Sequence, residues 1–283
     1  MKTAVFTVVK NEHKFLDEWI KYHISLGIDE IRVYSDRYSK SHEDICKKYN
    51  VFHDTTLNLY ADDSRDRRII HGGFQLQYMR AALDNLKSEG SIDWAAYIDS
   101  DEFITLQNEY DTVSDVLSNF NDYNVVVLQW QNYNASGHIL SPFGNVVDNY
   151  TTPCDLFTGP KMSSIASSKL FFNVRKWDAS KVKGNMHIPR AGCKWCKTDF
   201  SKNLNKATYD KIYIRHYITK SFEDYAYKLF DRGQFFNSKC LKHFFLFNPD
   251  IDRNDPEVLK IIDSYYDKYM NGELDCYAYL RGA

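Results

Sequence analysis

The first hundred residues alternate between short apolar runs and amphipathic stretches, and this alternation constrains the fold more than any other feature of the chain. Residues 3–9 form a predicted strand, and residues 12–26 have the period of a helix that ends at Gly27. The pattern continues with predicted strands over 30–35, 51–54 and 94–99 and predicted helices from Ser39 or Ser41 to Tyr49 and over 73–90. Strands joined by helices usually pair in parallel. The sequence therefore predicts an α/β fold with a mainly parallel central sheet flanked by helices.

The remaining chain contains fewer clear elements. The predicted strands cover 124–130, 168–175 and 211–217, and the predicted helices cover 112–120, 221–233 and the segment between Pro256 and Gly272, which Asp255 caps. Residues 55–72 and 131–166 are predicted to be irregular. We expect an α/β domain over 1–220 and a C-terminal helical region over 221–283 packed on it.

Charge and hydropathy exclude several classes of protein. The 36 basic and 38 acidic residues nearly balance, so no nucleic-acid partner is expected. No apolar run approaches the roughly 20 residues that span a bilayer, and the start lacks a cleavage site, so a cytoplasmic protein is expected. Cys193 and Cys196 form the one close cysteine pair. A zinc site there would need two of His187, Cys154 and His216, and ordinary thiols are the favoured interpretation.

Three acids interrupt the apolar segment WAAYIDSDEFITL at residues 94–106. In an α/β sheet, ligands bind beyond the carboxyl ends of the strands, and Asp99 and Asp101 follow such an end. Two carboxylates one residue apart can share Mg²⁺ or Mn²⁺, which also takes oxygens from a diphosphate. An ordinary acidic β-turn is the plain alternative. A second Asp-x-Asp, at residues 250–252, lies in a polar loop and is interpreted as solvated turn chemistry.

Several segments, taken in order, resemble glycosyltransferase family 92 and its bacterial family-2-like relatives. They are the Lys-Asn-Glu start with its Trp/His helix (8–36), the acidic turn IDSDEF, WQNYNASGH (130–138), KLFFNVR with MHIPRAG, and IRHYITKSFEDYAYKLFDRG. The resemblance implies a GT-A type fold. It also implies transfer of a hexose from a nucleotide diphosphate sugar, such as a UDP-sugar, to a hydroxyl of a glycan acceptor with inversion.

Two other functions stay open at this point. A nucleotidyltransferase would also use a metal-bound acid pair, although TVVKNE is not the Gly-rich phosphate loop it would need. A sugar-binding module without catalysis would tolerate loss of the acids. Surface-polysaccharide assembly, with peripheral association with a lipid-linked acceptor at a membrane, is a hypothesis from the bacterial-type architecture.

The resemblance also suggests roles for individual residues around a Mn²⁺ or Mg²⁺ ion. Asp101 is the first choice for direct metal contact, and Asp99 is the second acid of the pair, placed at the ribose or a metal-bound water. His216 and His187 are candidates for a downstream metal ligand, with a satisfied core histidine as the plain alternative.

Nucleotide contacts are expected where the first strand ends and at later basic residues. The candidates for donor binding are Val9, Lys10, Asn11, Glu12, Asp36, Gln75, Asp99, Ser100, Lys220 and Arg232. Asn11 can alternatively cap the first helix, and Lys220 and Arg232 can lie on a solvated helix face.

An inverting transfer needs a base, and the sequence does not choose between Glu102, Asp178 and Asp155. Together with Asp101, Glu102 and Asp178 are the catalytic candidates. Trp130, Tyr133 and His138 are expected to line the acceptor side, because aromatic faces pack on sugar C–H surfaces.

Overall fold

The computed structural model describes residues 1–35, 42–55, 67–154, 168–179, 187, 193–203, 207–230 and 240–273. Within this part of the chain, no helix has both the length and the apolar character needed to cross a membrane. The chain divides into two compact units: residues 1–131 with 157–216, and residues 132–156 with 217–283.

Strands and helices alternate through the first half of the chain, as predicted. The strands are β1 (Thr3–Val9), β2 (Glu30–Ser35), β3 (Phe52–Asp54), β4 (Trp94–Tyr97), β5 (Glu102–Leu106), β6 (Val125–Tyr133), β7 (Pro153–Cys154), β8 (Ser168–Asn173), β9 (Trp195–Lys197) and β10 (Ile212–His216). The helices are α1 (His13–Ser25), α2 (Glu43–Lys48), α3 (Arg67–Glu89), α4 (Val113–Leu117), α5 (Val146–Asn149), α6 (Phe222–Phe230), α7 (Cys240–Phe247) and α8 (Pro256–Met270). Short 3₁₀ turns follow α4 and β8.

The sheet of the first unit has a parallel half and an antiparallel half. Strands β3, β2, β1 and β4 pair in parallel in that order, so their carboxyl ends share one edge. Beyond β4 the order continues β8, β6, β10, β5. The β4–β8, β6–β8 and β5–β10 pairs are antiparallel. The predicted α/β fold is confirmed, and parallel pairing is concentrated in its first four helix-linked strands.

Helix α3 covers one face of this sheet. Its apolar residues Met79, Leu83 and Leu86 are fully buried, and they belong to one core cluster with residues of β1, β4, β6 and β8. The prediction of a loop over 55–72 was wrong for residues 67–72, because α3 begins at Arg67. Three strands, β5, β7 and β9, and the helices α5 and α7 were not predicted from the sequence. All five are short, with two to eight residues each.

Helix α1 is anchored to β5 by hydrogen bonds from two aromatic side chains, one buried and one partly buried. Trp19 Nε1 donates to the Glu102 carbonyl at 2.9 Å, and Tyr22 Oη donates to the Ile104 carbonyl at 2.8 Å. The proposed capping of α1 by Asn11 is wrong. Glu12 is the N-cap and makes no side-chain cap, while Asn11 has a left-handed backbone with φ 53°. Asparagine tolerates that conformation better than most residues.

The second unit has its own core, formed by α6, α7 and α8. Its largest members are buried aromatic and aliphatic side chains: Phe222, Tyr225, Leu229, Phe230, Leu241, Phe244, Val258 and Tyr265. Segment 132–156 joins this unit through backbone bonds. The Ala135 amide donates to Asn248 Oδ1 at 2.5 Å, and the Glu223 amide donates to the Ile139 carbonyl at 2.9 Å. The unit boundary therefore differs from the expected division at residue 220.

Gly27 and Gly90 form a matched pair for testing backbone strain. Both follow a helix with left-handed φ values, +75° and +70°. A Cβ on Gly27 would lie 3.0 Å from Thr112 Cγ2, whereas a Cβ on Gly90 would meet nothing within 4 Å. We expect Gly90→Ala to cost about 1–2 kcal/mol for the left-handed backbone alone. Gly27→Ala should cost about 1–3 kcal/mol more, because Thr112, the N-cap of α4, must shift. Urea unfolding of both variants measures the difference, and equal losses would contradict it.

His23 should make the fold acid-sensitive. The Ile104 amide approaches His23 Nε2 at 3.4 Å and His23 Nδ1 lies 2.8 Å from the Trp19 carbonyl, which defines a neutral ring that donates from Nδ1. Burial lowers the pKa of His23 from 6.5 to about 4. The unfolded chain therefore binds the extra proton first, and stability falls as pH drops from 6.5 towards 4. This loss amounts to about 3 kcal/mol at roughly 1.4 kcal/mol per pH unit.

The corresponding variant is His23→Gln, which keeps a donor and an acceptor but does not titrate. We expect a smaller loss of unfolding free energy between pH 7 and pH 4.5 in the variant than in the wild type. Parallel loss in both proteins would show that His23 is not the group responsible.

Candidate functional site

The acidic turn connects β4 to β5 at the carboxyl edge of the parallel strands. The Ile98 amide continues the pairing with β1 by donating to the Phe6 carbonyl at 3.0 Å, and the Glu102 amide closes the turn on the Asp99 carbonyl at 3.0 Å. The segment is thus a hydrogen-bonded β-turn, which agrees with the alternative prediction of an ordinary acidic turn. It also presents its acids at the edge where α/β sheets bind ligands.

A chain of buried polar side chains fixes this turn to the ends of β1 and β2. Ser100 Oγ donates to Glu12 Oε1 at 2.7 Å, and the Glu12 amide donates to His42 Nε2 at 3.0 Å. His42 Nδ1 must then carry the proton and donate to Ser35 Oγ, 3.0 Å away. Ser35 Oγ also lies within hydrogen-bond distance of His53 Nε2, 2.9 Å away. The result is a continuous series of hydrogen bonds from the acidic turn to the ends of the first strands.

Lys169, at the start of β8, is the cation of the acidic turn. Its side chain is 1% exposed, and its Nζ lies 2.5 Å from Asp99 Oδ2 and 3.4 Å from Glu102 Oε2. The ammonium also lies 4.3 Å from the centre of the Tyr97 ring, within the range of a cation–π contact. Tyr97 Oη donates to the second oxygen of Asp99 at 2.5 Å. Asp99 therefore has both carboxylate oxygens engaged inside the protein.

Glu102 points into the fold. The Asp99 amide donates to its Oε2 at 3.0 Å, and its Oε1 is buried without a hydrogen-bond partner among the described residues. Burial, opposed by the charge of Lys169, raises the pKa of Glu102 well above its ordinary value. Burial would also raise the pKa of Asp99, but the Lys169 ammonium outweighs it and lowers that pKa. The lowered pKa of Asp99 favours its ionised form, whereas the raised pKa of Glu102 favours its protonated form.

Asp101 faces a histidine rather than the lysine. In the β5–β10 register His216 lies opposite Glu102, which brings His216 Nε2 to 3.9 Å from Asp101 Oδ1. Two ligands of one ion, each at about 2.1 Å, are about 3 Å apart at a right angle and about 4.2 Å apart on opposite sides. The Asp101–His216 separation of 3.9 Å lies between these two values, so joint ligation of one octahedral cation would need a small shift of either side chain.

Trp130 lies between the two predicted histidine ligands. Its ring centre is 4.4 Å from that of His216 and 5.2 Å from that of His187. His187 Nδ1 is held by the Ser168 carbonyl at 2.7 Å, and Ser168 Oγ donates back to the His187 carbonyl. Burial and the charge of Lys169 lower the pKa of His187 to about 4. Its imidazole is therefore neutral at physiological pH, as a ligand or a packing group must be.

The described donors fit a divalent cation only in part. No three acidic, histidine or cysteine side chains in the described ranges are arranged to hold an ion. Asp101 and His216 supply two donors, and a Mg²⁺ or Mn²⁺ ion usually completes its shell with water and substrate phosphate oxygens. Asp101 and His216 are therefore the described side chains that would contribute to such an ion. Cys196 is buried in β9 and Cys193 is partly buried, and neither forms a disulfide among the described residues.

One catalytic candidate is placed away from this site. Strand β8 runs antiparallel to β4, so its first residues reach the acidic turn and its end returns to the start of β4. The Val174 amide there donates to the Asp93 carbonyl at 2.8 Å. Asp178 follows at this opposite edge of the sheet, away from the acidic turn, and its role as a base stays a prediction.

Other predicted residues lie in the second unit or outside the described part of the chain. In the second unit, the Tyr133 ring packs 5.2 Å from that of Tyr217, and His138 meets the Tyr150 ring edge-on at 5.7 Å. Lys220 is 4% exposed and has a left-handed backbone. Asp36, Asp155, the side chain of Gln75, and Arg232 lie outside what the structure describes.

Sequence reasoning gave no role to Lys169, His42 or Ser35. A single lysine within the apolar strand SKLFFN was the available signal for Lys169, since a buried lysine requires an acidic partner. His42 and Ser35 carried no comparable local signal, because their partners are contributed by other strand ends.

The fold and this edge of the sheet define an α/β protein with a cluster of acidic side chains beyond its parallel strands, and sequence comparison identifies the family. The profile of glycosyltransferase family 92 matches residues 5–240, and the chain belongs to this family. A family 92 protein of Ricinus communis is 25% identical over 151 residues, covering 52% of this chain and 26% of that protein. One of Oryza sativa subsp. japonica is 26% identical over 117 residues, covering 41% and 18%.

The chain thus matches 26% or less of the length of either relative. Among solved structures, S. aureus TarS 1-349 matches with 14% identity and a TM-score of 0.36, covering 62% of this chain and 47% of that one.

The pKa of Glu102 leads to a stability prediction. Because the folded-state pKa lies above the ordinary 4.5, the folded protein binds the extra proton, and stability falls as pH rises above 4.5. Glu102→Gln removes this titration while keeping the shape and one acceptor. We expect its unfolding free energy, relative to that of the wild type, to improve steadily from pH 5 to pH 8 by about 1 kcal/mol or more. Urea unfolding across this range measures the trend, and a constant difference would contradict it.

Proposed function

We propose that this chain is a metal-dependent glycosyltransferase. It moves a hexose from a nucleotide diphosphate sugar, a UDP-sugar in the first instance, to a hydroxyl of a glycan acceptor. Membership of family 92 supports the reaction class. The observation that carries the proposal is the Asp101–His216 pair, 3.9 Å apart at the carboxyl edge of the sheet, on a turn whose other acids are engaged by Lys169.

Asp101 and His216 are the residues that would hold the cation. When bound, a Mn²⁺ or Mg²⁺ ion at this place neutralises the charge of the departing diphosphate. The carboxylate of Asp101 contributes charge and the imidazole of His216 a neutral donor, so the side chains together bring one negative charge to the diphosphate. A site with more ionised carboxylates would repel the donor substrate more strongly.

The nucleotide would lie along the ends of β1 and β4. Asn11 turns the backbone sharply after β1, and Glu12 is held by Ser100 and His42, so the two strand ends form one rigid edge. Val9, Lys10 and Asn11 provide backbone and side-chain groups there. A preorganised edge of this kind lowers the entropy lost when a ligand is bound.

Trp130 supports an acceptor or sugar contact beside the cation pair, because its ring lies against His216. Glu102 is fully buried and serves the turn as a positioning group rather than as a base. The family resemblance implies inversion of the anomeric centre, and the proposal includes a single displacement. The anomeric configuration of the product, measured by NMR, tests that part directly.

The central test uses the two Asp-x-Asp sequences of the chain. The protein is incubated with a panel of UDP-, GDP- and dTDP-sugars, Mn²⁺ and glycan acceptors, and released nucleotide is measured. We expect nucleoside diphosphate release, and we expect Asp101→Asn to lower kcat/KM about 100-fold or more, because ligation supplies several kcal/mol to the transition state. Asp252→Asn is the matched control. Its exposed carboxylate accepts only local bonds, from the backbone and side-chain amides of Asn254, among the bonds described, and activity should be unchanged.

The same assay separates the proposal from its rivals. Release of pyrophosphate would show nucleotidyl transfer instead. Absence of turnover with every donor and acceptor, together with sugar binding that survives Asp101→Asn, would show a binding module. Equal loss of activity in Asp101→Asn and Asp252→Asn would contradict the assignment of the acidic turn.

A further inference from the structure

We propose that Lys169 is a positioning residue that acts as the internal counter-cation of the acidic turn. By holding Asp99 and Glu102, it leaves Asp101 and His216 as the side-chain ligands of the divalent ion. Asp99, the first acid of the Asp-x-Asp, is then not a metal ligand. This inference rests on the proposed function for the identity of the ion, but the role of Lys169 can be tested separately.

The contacts of Asp99 are the first evidence that it is not a metal ligand. One carboxylate oxygen receives the Lys169 ammonium at 2.5 Å and the other receives the Tyr97 hydroxyl at 2.5 Å. A metal ion at Asp99 would have to displace one of these donors or approach within the reach of a buried positive charge. Both alternatives are unfavourable in a site of low dielectric.

The burial of Lys169 is the second line of evidence, because it keeps the ammonium beside the acids. Its side chain is 1% exposed, it lies on the ring of Tyr97, and Glu102 Oε2 is 3.4 Å from its Nζ. An ammonium in this setting cannot move into solvent without leaving the buried Glu102 and the partly buried Asp99 without their cation. Removing one partner of a largely buried ion pair is unfavourable. Lys169 therefore stays in place when a ligand binds.

The position of Asp101 is the third line of evidence, because this acid lies beside a histidine. Its side chain is 11% exposed, between 1% for Glu102 and 31% for Asp99, and its Oδ1 lies 3.9 Å from His216 Nε2. Of the three acids, it is the one placed towards a second metal donor. Glu102 keeps one buried oxygen without a described hydrogen-bond partner. If the ammonium were removed, Asp99 and Glu102 together would offer oxygens to a cation.

The first experiment removes the ammonium. Lys169→Met retains most of the side-chain volume but leaves the two acids without their cation. We expect the variant to lose stability and to regain it with Mn²⁺, so that its Mn²⁺-induced rise in Tm is at least about twice that of the wild type. Lys197→Met is the matched control, because Lys197 is also fully buried and its Nζ donates to the Asn203 carbonyl at 3.0 Å. Its Mn²⁺ response should equal that of the wild type.

The second experiment compares the two aspartates by Mn²⁺ binding, measured by electron paramagnetic resonance without any nucleotide. We expect Asp101→Asn to weaken binding at least about tenfold and Asp99→Asn to change it less than about threefold. Equal weakening by the two substitutions would overturn the proposal. A Mn²⁺ response of Lys169→Met no larger than that of Lys197→Met would overturn it as well.

A second variant covers the case in which Lys169→Met does not fold. The double variant Lys169→Met/Glu102→Gln leaves a single acid unpaired, and Mn²⁺ should again raise its Tm more than that of Glu102→Gln alone. If the wild type bound no Mn²⁺, the metal dependence of the proposed function would fail. The Mn²⁺-induced changes in Tm of Lys169→Met and Lys197→Met would still show whether loss of the Lys169 ammonium creates a binding site for a cation.

Discussion

The buried ion pair between Lys169 and Asp99 is the interaction on which the acidic turn depends. Three acids lie within four residues at the end of a fully buried strand, where desolvation and mutual repulsion oppose ionisation. One ammonium, brought by the neighbouring strand β8, contacts two of them. It outweighs burial at Asp99, whose pKa is lowered, but not at Glu102, whose pKa stays raised. The turn can therefore hold its backbone bonds while Asp101 faces the opposite way, towards His216.

Much of the fold and the location of the site follow from local sequence patterns. Apolar runs separated by amphipathic segments specify β1 to β4 and their helices, and parallel pairing then places every carboxyl end at one edge. The acidic interruption after β4 was thus predictable as a site. Helix α8 was equally clear, because Asp255 accepts from the Glu257 amide and Pro256 begins the first turn, as their residue types predict.

The partners of the acids could not be predicted, because they come from antiparallel strands whose register no local pattern specifies. His216 reaches Asp101 only because residue 216 pairs with residue 102, and Lys169 reaches Asp99 only because β8 runs backwards beside β4. The same reversal carries Asp178 to the far edge of the sheet. The polar series through His42, Ser35 and His53 depends likewise on which strand ends are neighbours, which is a property of the assembled sheet.

All six residues of β8 are buried, on both faces of the sheet. Apolar patterning therefore does little to select one alignment of this strand, since a slip by a single position would still bury similar side chains. Lys169 is the exception. After such a slip its ammonium would emerge on the wrong side of the sheet, away from the acids and among hydrocarbon groups. The charge that balances the turn therefore also helps to select the register of β8, because in the observed alignment the lysine meets its acidic partners.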